Sequence, residues 1–342
     1  MFYPLYLIFY KLLKNEMAHN IEIINGEASM FYCGEKPWHG LGTALDSPTT
    51  SKEAIEAAKL NWTVDKQQLY LPNNDPANNT FATVRTDQNK VLGIVGSTYT
   101  PLQNSEAFEF FDSIVGADQA IYHTAGCLLD GKVVWILAKL PGEIRVTDED
   151  ITEKFLLLSN SHDGSSAVQI KFTPVRVVCN NTLTMAFADN QFHSIWHQKD
   201  VKKQLNDLPK LMGIINKRYK EIEDTFKEMV KIQMTDVTLT RYLEDVFPDP
   251  KNKKDAKKYE YELSRAKSNR EWSKYLFENG EGNRMTGVSG SLWAALNGVT
   301  ELIDHKITKQ SNGRKLNSVW FGDGAVIKGK AYKAAVEMVT EI

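Results

Sequence analysis

The hydrophobic period of this chain changes once, and that change sets the fold class. As far as about residue 180, apolar residues come in short runs separated by turn-forming residues. NWTVDKQQLYL, FATVRT and VLGIVG read as three strands. AIYHTAGCLL and KVVWILAKL flank Asp130-Gly131, the strongest short-range hairpin signal. KFLLLSN and SAVQIKF flank Ser161-His162-Asp163-Gly164 as a second hairpin; Pro174 breaks the return strand and VRVVC resumes before Asn180. Two helices interrupt this region, SKEAIEAAKL with Ser51 as N-cap and a segment from Asn104 to Val115 with Asn104 as cap.

Beyond about residue 200 the spacing becomes helical. Leu208, Ile215, Ile222 and Met229 recur every seven residues behind an Asp207 cap, with Leu205, Met212, Tyr219 and Phe226 as a second series. Such a seam must be buried, either against a helix of the same chain or in a homo-oligomer through the 205–229 helix. Thr286 to Lys306 reads as another helix, and a last one begins near Gly329. The expectation is an α+β fold. An antiparallel, sheet-rich unit over residues 17–200 precedes a helical unit over 201–342 with a long coiled-coil-like helix. Residues 1–16 stand apart: Met1–Leu13 is too short to span a bilayer, which needs about 20 residues, and an ordinary polar sequence opens at Met17. That segment reads as a non-native leader or a mis-assigned start, and no stable membrane association is expected.

Charge is divided between the halves. Residues 1–150 carry 11 Lys/Arg and 19 Asp/Glu, whereas 151–342 carry 30 and 24, so a net charge of -2 conceals -8 and +6. The excess is densest at 251–270, KNKKDAKKYEYELSRAKSNR, with eight basic and three acidic side chains. A basic segment interleaved with aromatic rings suits a single strand, whose bases stack while Lys and Arg follow the phosphates. The candidates are Lys251, Lys253, Lys254, Lys257, Lys258, Arg265 and Lys267, with Tyr259 and Tyr261 between them and Arg176 as an inner contact. Exposed aromatics on the antiparallel sheet are expected to complete that surface.

Three widely spaced cysteines with no CxxC suit a reducing compartment, hence the cytoplasm. No Walker loop, GxGxxG, HExxH or GxSxG occurs, so no signature calls for a cofactor. His193 and His197 have the i, i+4 spacing of metal ligands, but no acidic residue lies between them, and no metal site is assigned. The polar segment 160–166, together with Arg176 and Cys179, offers a second reading as a small-molecule site or hydrolase-type centre. There Asp163 orients His162, and His162 activates Cys179 or a water. Val177 and Val178 beside it favour a buried, unreactive Cys179. Further candidate positions are Trp38 and His39 in a glycine-rich loop, Asn180, and the four-residue series Trp293, Asn297, Glu301 and His305. The heptad seam leaves a third reading, a protein-interaction factor directed at a host defence complex.

GEKPWHGLGTAL at 34–45, HDGSSAVQIKFTPVRVVCNNTL at 162–183 and SGSLWAALNGVTELIDHK at 289–306 together resemble one family. It is the family of phage/plasmid-like proteins with a domain of unknown function, named for a Leu-Gly-Thr signature, here Leu41-Gly42-Thr43. The likeness runs from about Met17 to the C-terminus and includes Val319-Trp320-Phe321-Gly322. It implies a mobile-element protein of the bacterial cytosol and no particular reaction. Genomes of this kind carry single-strand annealing and replication-accessory proteins, so binding of single-stranded DNA in replication or recombination is the leading expectation.

Overall fold

The computed structural model describes residues 21–34, 41–46, 50–115, 121–178, 181–182, 194–195, 197, 211–252, 254–306, 318–319 and 322–341. A short antiparallel pair, Ile23–Ile24 with Glu27–Ala28, precedes β1 (Met30–Cys33) and β2 (Thr43–Leu45), and helix α1 (Ser51–Ala57) follows. Strands β3 (Val64–Tyr70), β4 (Pro76–Arg85) and β5 (Lys90–Val95) form a three-stranded antiparallel sheet. Helix α2 (Asn104–Val115) leads into β6 (Ile121–Leu128), β7 (Val133–Arg145), β8 (Ile151–Ser161), β9 (Val168–Phe172), β10 (Val175–Arg176), β11 (Asn181–Thr182) and β12 (Ser194–Ile195). With β1 and β2 these make a nine-stranded sheet in the order β11-β10-β8-β7-β6-β1-β2, with β9 on β8 and β12 on β9. Its ladders are antiparallel except the β1–β2 pair. The helical half comprises α3 (Leu211–Lys231), α4 (Asp236–Val246), α5 (Ala256–Asn279), α6 (Leu292–Glu301) and α7 (Asp323–Thr340). The α+β expectation holds.

Both expected hairpins form. Leu129, Asp130 and Gly131 all take positive φ, the left-handed conformation that turns β6 back onto β7. The central strands are apolar without alternation because both faces of the sheet are covered. On β7, Val134, Ile136 and Ala138 pack toward the helices, whereas Trp135 and Leu137 join Ile21, Met30 and Val319 on the other face. Phe31, Tyr122, Trp135, Phe155 and Phe172 are thereby fully buried. The aromatic stacking surface expected on this sheet is absent among the described residues, since those rings are its core. Tyr70, on the smaller sheet, is exposed.

The second half of the heptad seam, from Tyr219 to Met229, is spent inside the chain. Tyr219, Ile222, Phe226 and Met229 are buried in the same apolar core as the sheet. The Tyr219 ring meets Phe172 edge-on at 4.9 Å, and Phe226 lies 4.3 Å from Trp293. These four residues are therefore closed to a second copy; the side chains of Leu205, Leu208, Met212 and Ile215 lie outside those described. One core holds residues of both halves, so the boundary near residue 200 marks a change of secondary structure and not of core.

Several element ends differ from expectation. Thr50, not Ser51, caps α1 through a reciprocal capping box with Glu53. Asn104 begins α2, but its amide is used elsewhere. Gly287 and Gly290 take positive φ, so the helix expected from Thr286 starts at Leu292, capped by Ser291. The last helix starts at Asp323 rather than near Gly329. Among the described residues no helix is long and apolar enough to cross a membrane. Residues 1–16 lie outside the described residues.

Candidate functional site

Helix α5 carries most of the basic candidates. Asp255 caps it by accepting from the Lys258 amide at 3.1 Å. Its inner side is narrow: Ala266, Ser273 and Leu276 are buried, and α5 packs mainly on α6. Most of its circumference therefore faces solvent. Along that surface Tyr261, Arg265, Ser268, Trp272, Tyr275 and Asn279 follow steps of four, three, four, three and four residues. Steps of three and four keep side chains on one helical stripe. Lys254, Lys257 and Lys258 extend the stripe to the helix N-terminus and beyond it, and no carboxylate interrupts it. Glu260, Glu271 and Glu278 run along one flank instead.

Tyr261, Trp272 and Tyr275 are 64%, 48% and 54% exposed. Trp272 and Tyr275 meet edge-to-face at 5.8 Å. These are large rings for positions so open to solvent. Arg270 and Lys274, by contrast, are tied down. Arg270 donates to the Phe247 carbonyl at 2.9 Å and to Asp249 at 2.7 Å, and Lys274 bridges to Asp236 at 2.8 Å. Lys257, Arg265 and Lys267 make no ion pair among the described residues, and Lys258 approaches Glu262 only at 3.9 Å. Lys251 is exposed in the loop before the helix, Tyr259 is half-buried off the stripe, and Lys253 lies outside the described residues. Trp272 and Tyr275 lie just beyond the basic segment 251–270, and the same three-four step continued past residue 270 leads to both.

Arg176 has a different task. It is 2% exposed, and all five of its N–H groups are engaged. Nε and Nη2 grip Asp150 at 2.8 and 2.6 Å, Nη1 donates to Asn283 Oδ1 at 3.0 Å and Nη2 to the Gly282 carbonyl at 2.9 Å. Trp293 Nε1 donates to the same Asp150 carboxylate at 2.8 Å. The node fastens β8 and β10 to the 280–290 loop and to α6, and it leaves no donor for a phosphate. Gly280 and Gly282 are packing positions here. A Cβ on Gly282 would lie 3.0 Å from Arg176 Nη2. Trp293 and Asn297 are buried, and Asn297 donates to the Trp293 carbonyl. Glu301 and His305 are half-buried, with burial raising the Glu301 carboxyl.

His162 and Asp163 are neighbours with separate partners. His162 is fully buried, and its Nε2 lies 2.9 Å from Asn104 Oδ1. The Asn104 amide nitrogen already donates to the Leu60 and Trp62 carbonyls, so Nε2 carries the proton. Burial, with help from His197, lowers the His162 pKa to about 3. Asp163 turns the other way. Burial would raise it, but hydrogen bonds from Ser161 and Ser165 hold it below its usual value. Asp163 thus orients the turn and not the imidazole. Arg176 pairs opposite Thr152, ten positions back along β8 from His162. At about 3.3 Å per residue that is roughly 30 Å. The structure does not bring His162, Asp163 and Arg176 into one centre. Cys179, Asn180, Trp38, His39 and His193 lie outside the described residues.

Gly42 has φ of +106°, and a Cβ there would lie 2.9 Å from Met30 Cγ. It lets β2 close onto β1, a folding role. Among the described residues no cluster of His, Cys, Asp and Glu could hold a metal ion. No curated protein and no solved structure matches the chain. A family pattern does match, over residues 91–320, which is more than half of the chain and includes both the Arg176 node and α5. The chain belongs to the family described as Domain of unknown function (DUF932).

Proposed function

We propose that this protein binds single-stranded nucleic acid along the outer stripe of α5, as an accessory factor in phage or plasmid replication or recombination. The observation that carries the reading is the uninterrupted row of Lys257, Lys258, Tyr261, Arg265, Trp272 and Tyr275 on a helix with little else to bury. Aromatic rings stack with bases of any sequence, and exposed cations follow the backbone between them. Such a surface favours single strands over duplex, whose bases are already stacked. The mobile-element setting is supported by the resemblance at 34–45, 162–183 and 289–306, and the reaction partners by the charge of the C-terminal half.

The test is fluorescence anisotropy with labelled single- and double-stranded oligonucleotides across a salt series. The reading expects single-strand preference and an affinity that falls linearly in log–log form, by about 0.7 per phosphate neutralised. No binding to single strands at low salt would remove it.

A further inference from the structure

The loop that follows α5 is held from inside by buried polar groups. The Glu281 N–H donates to Glu301 Oε2 at 3.1 Å, and the Glu281 carbonyl accepts from Arg176 Nη1 at 3.4 Å. The Gly282 carbonyl accepts from Arg176 Nη2 at 2.9 Å. Asn283 is buried; it accepts from Arg176 Nη1 at 3.0 Å and donates to the carbonyls of Leu276 and Ala294 at 2.9 and 3.1 Å. This fixed frame presents two charged residues outward, since Glu281 and Arg284 are both exposed. Together with Asn279, Val178 and Met285 they line an open groove of about 470 Å³. Asn279 is also the last residue of the α5 stripe, so the groove begins one helical turn, about 6 Å, beyond Tyr275.

Arg284 is oriented by neutral acceptors. Its Nε donates to the Glu278 carbonyl at 3.3 Å and its Nη2 to Asn279 Oδ1 at 2.5 Å, which sets the guanidinium against the Asn279 wall of the groove. Among the described residues its Nη1 is uncommitted, and neither Arg284 nor Glu281 makes an ion pair. A carboxylate and a guanidinium on one loop that do not neutralise each other offer a ligand both acceptors and donors. A phosphate does not suit this place, because the negative pole of α5 and the Glu281 carboxylate lie at the same end of the helix. A neutral planar group does, with Val178 and Met285 as apolar surface for its faces. Among the bases, guanine alone has two adjacent donors, N1–H and N2–H, for a carboxylate and two adjacent acceptors, O6 and N7, for a guanidinium. We propose that this groove holds one guanine base of the bound strand, read by Glu281 and Arg284. The inference rests on the strand-binding reading and deepens it: the stripe takes bases of any sequence, and the loop at its end selects one.

The experiment uses the full chain and fluorescence anisotropy with oligothymidylates that carry one central dG, dI, dA or dC, or none; dI lacks the N2 amino group. Variants are Glu281→Gln, Arg284→Gln and Trp272→Ala/Tyr275→Ala, with folding checked by urea unfolding. The expected result is that dG tightens binding about tenfold over the plain tract, as one bidentate base contact does, with dI in between and dA and dC without effect. Glu281→Gln and Arg284→Gln should each bring dG to within about twofold of the plain tract while still binding that tract. The double ring variant should weaken every tract and keep the dG advantage. Binding of the plain tract with no dG advantage, or an advantage that survives in either folded loop variant, overturns this inference and leaves the strand-binding reading standing. A 5′-phosphate that tightens every tract and loses its effect in Arg284→Gln assigns the groove to an anion and overturns the inference as well. No binding of any tract removes the strand-binding reading and this inference with it.

Discussion

Arg176 Nη2 lies 2.6 Å from Asp150 Oδ2, with both side chains shut away from solvent. Removing one partner of such a pair leaves an uncompensated buried charge, which costs about 3–5 kcal/mol, whereas replacing both by apolar groups is often close to neutral. Arg176→Met is therefore expected to be strongly destabilising in urea. The double variant Arg176→Met/Asp150→Leu should be far less unstable than the sum of the two single changes. Additive losses would show that the carboxylate and guanidinium do not depend on each other.

Much of this architecture is visible in the sequence, because the signals for it are local. Asp130-Gly131 marks its hairpin, and alternation or its absence marks the strands on either side. The functions of Arg176 and Trp293 are not local. Their partner Asp150 lies 26 and 143 positions away in sequence, and nothing in the spacing of either residue announces it. His162 and Asp163 looked like a catalytic couple because they are adjacent, but adjacent residues at a strand end point to opposite sides. One turned into the core and one into the turn. The α5 stripe was half visible: the charge run drew attention to 251–270, and the rings beyond it lay where the charge thinned out.

Gly93 is a second place where the backbone itself is the contact. A Cβ there would lie 2.5 Å from Asp163 Cα, so β5 can approach the β8–β9 turn only with glycine at this position. Gly93→Ala must push the small sheet off the turn. Overpacking of this kind costs about 1–3 kcal/mol. A lowered thermal midpoint is expected. A variant as stable as the parent would show that the two sheets are not held together at this point.

The buried imidazole of His162 makes stability depend on pH. Its folded pKa, about 3, is below the ordinary value of 6.5, so the unfolded chain binds a proton over that interval and the folded one does not. Stability is thus fully present above pH 6.5 and declines as the pH falls toward 3, by up to about 1.4 kcal/mol per unit for one proton. His197, also lowered chiefly by burial, acts in the same direction. Urea midpoints at pH 7 and pH 5 should differ more for the parent than for His162→Gln. Equal differences would mean that His162 takes up its proton as readily in the folded protein as in the unfolded chain.

The α5 stripe separates binding from folding, because its residues face solvent. Trp272→Ala and Tyr275→Ala should each leave the unfolding midpoint nearly unchanged, as surface changes usually stay within about 0.5 kcal/mol. Each should weaken single-strand binding, since a stacked base is worth about 1–3 kcal/mol. Lys257→Glu, Lys258→Glu and Arg265→Glu should act differently. Each leaves one phosphate without its cation, so affinity falls and the salt slope becomes shallower, by about 0.7 for every phosphate no longer neutralised. The ring variants should keep the parent's slope while losing affinity at every salt concentration. That contrast distinguishes a strand lying along the stripe from counterions gathered by a basic helix. If the ring variants bind like the parent and only the charge variants are impaired, α5 is a nonspecific polyanion surface and Trp272 and Tyr275 serve another partner.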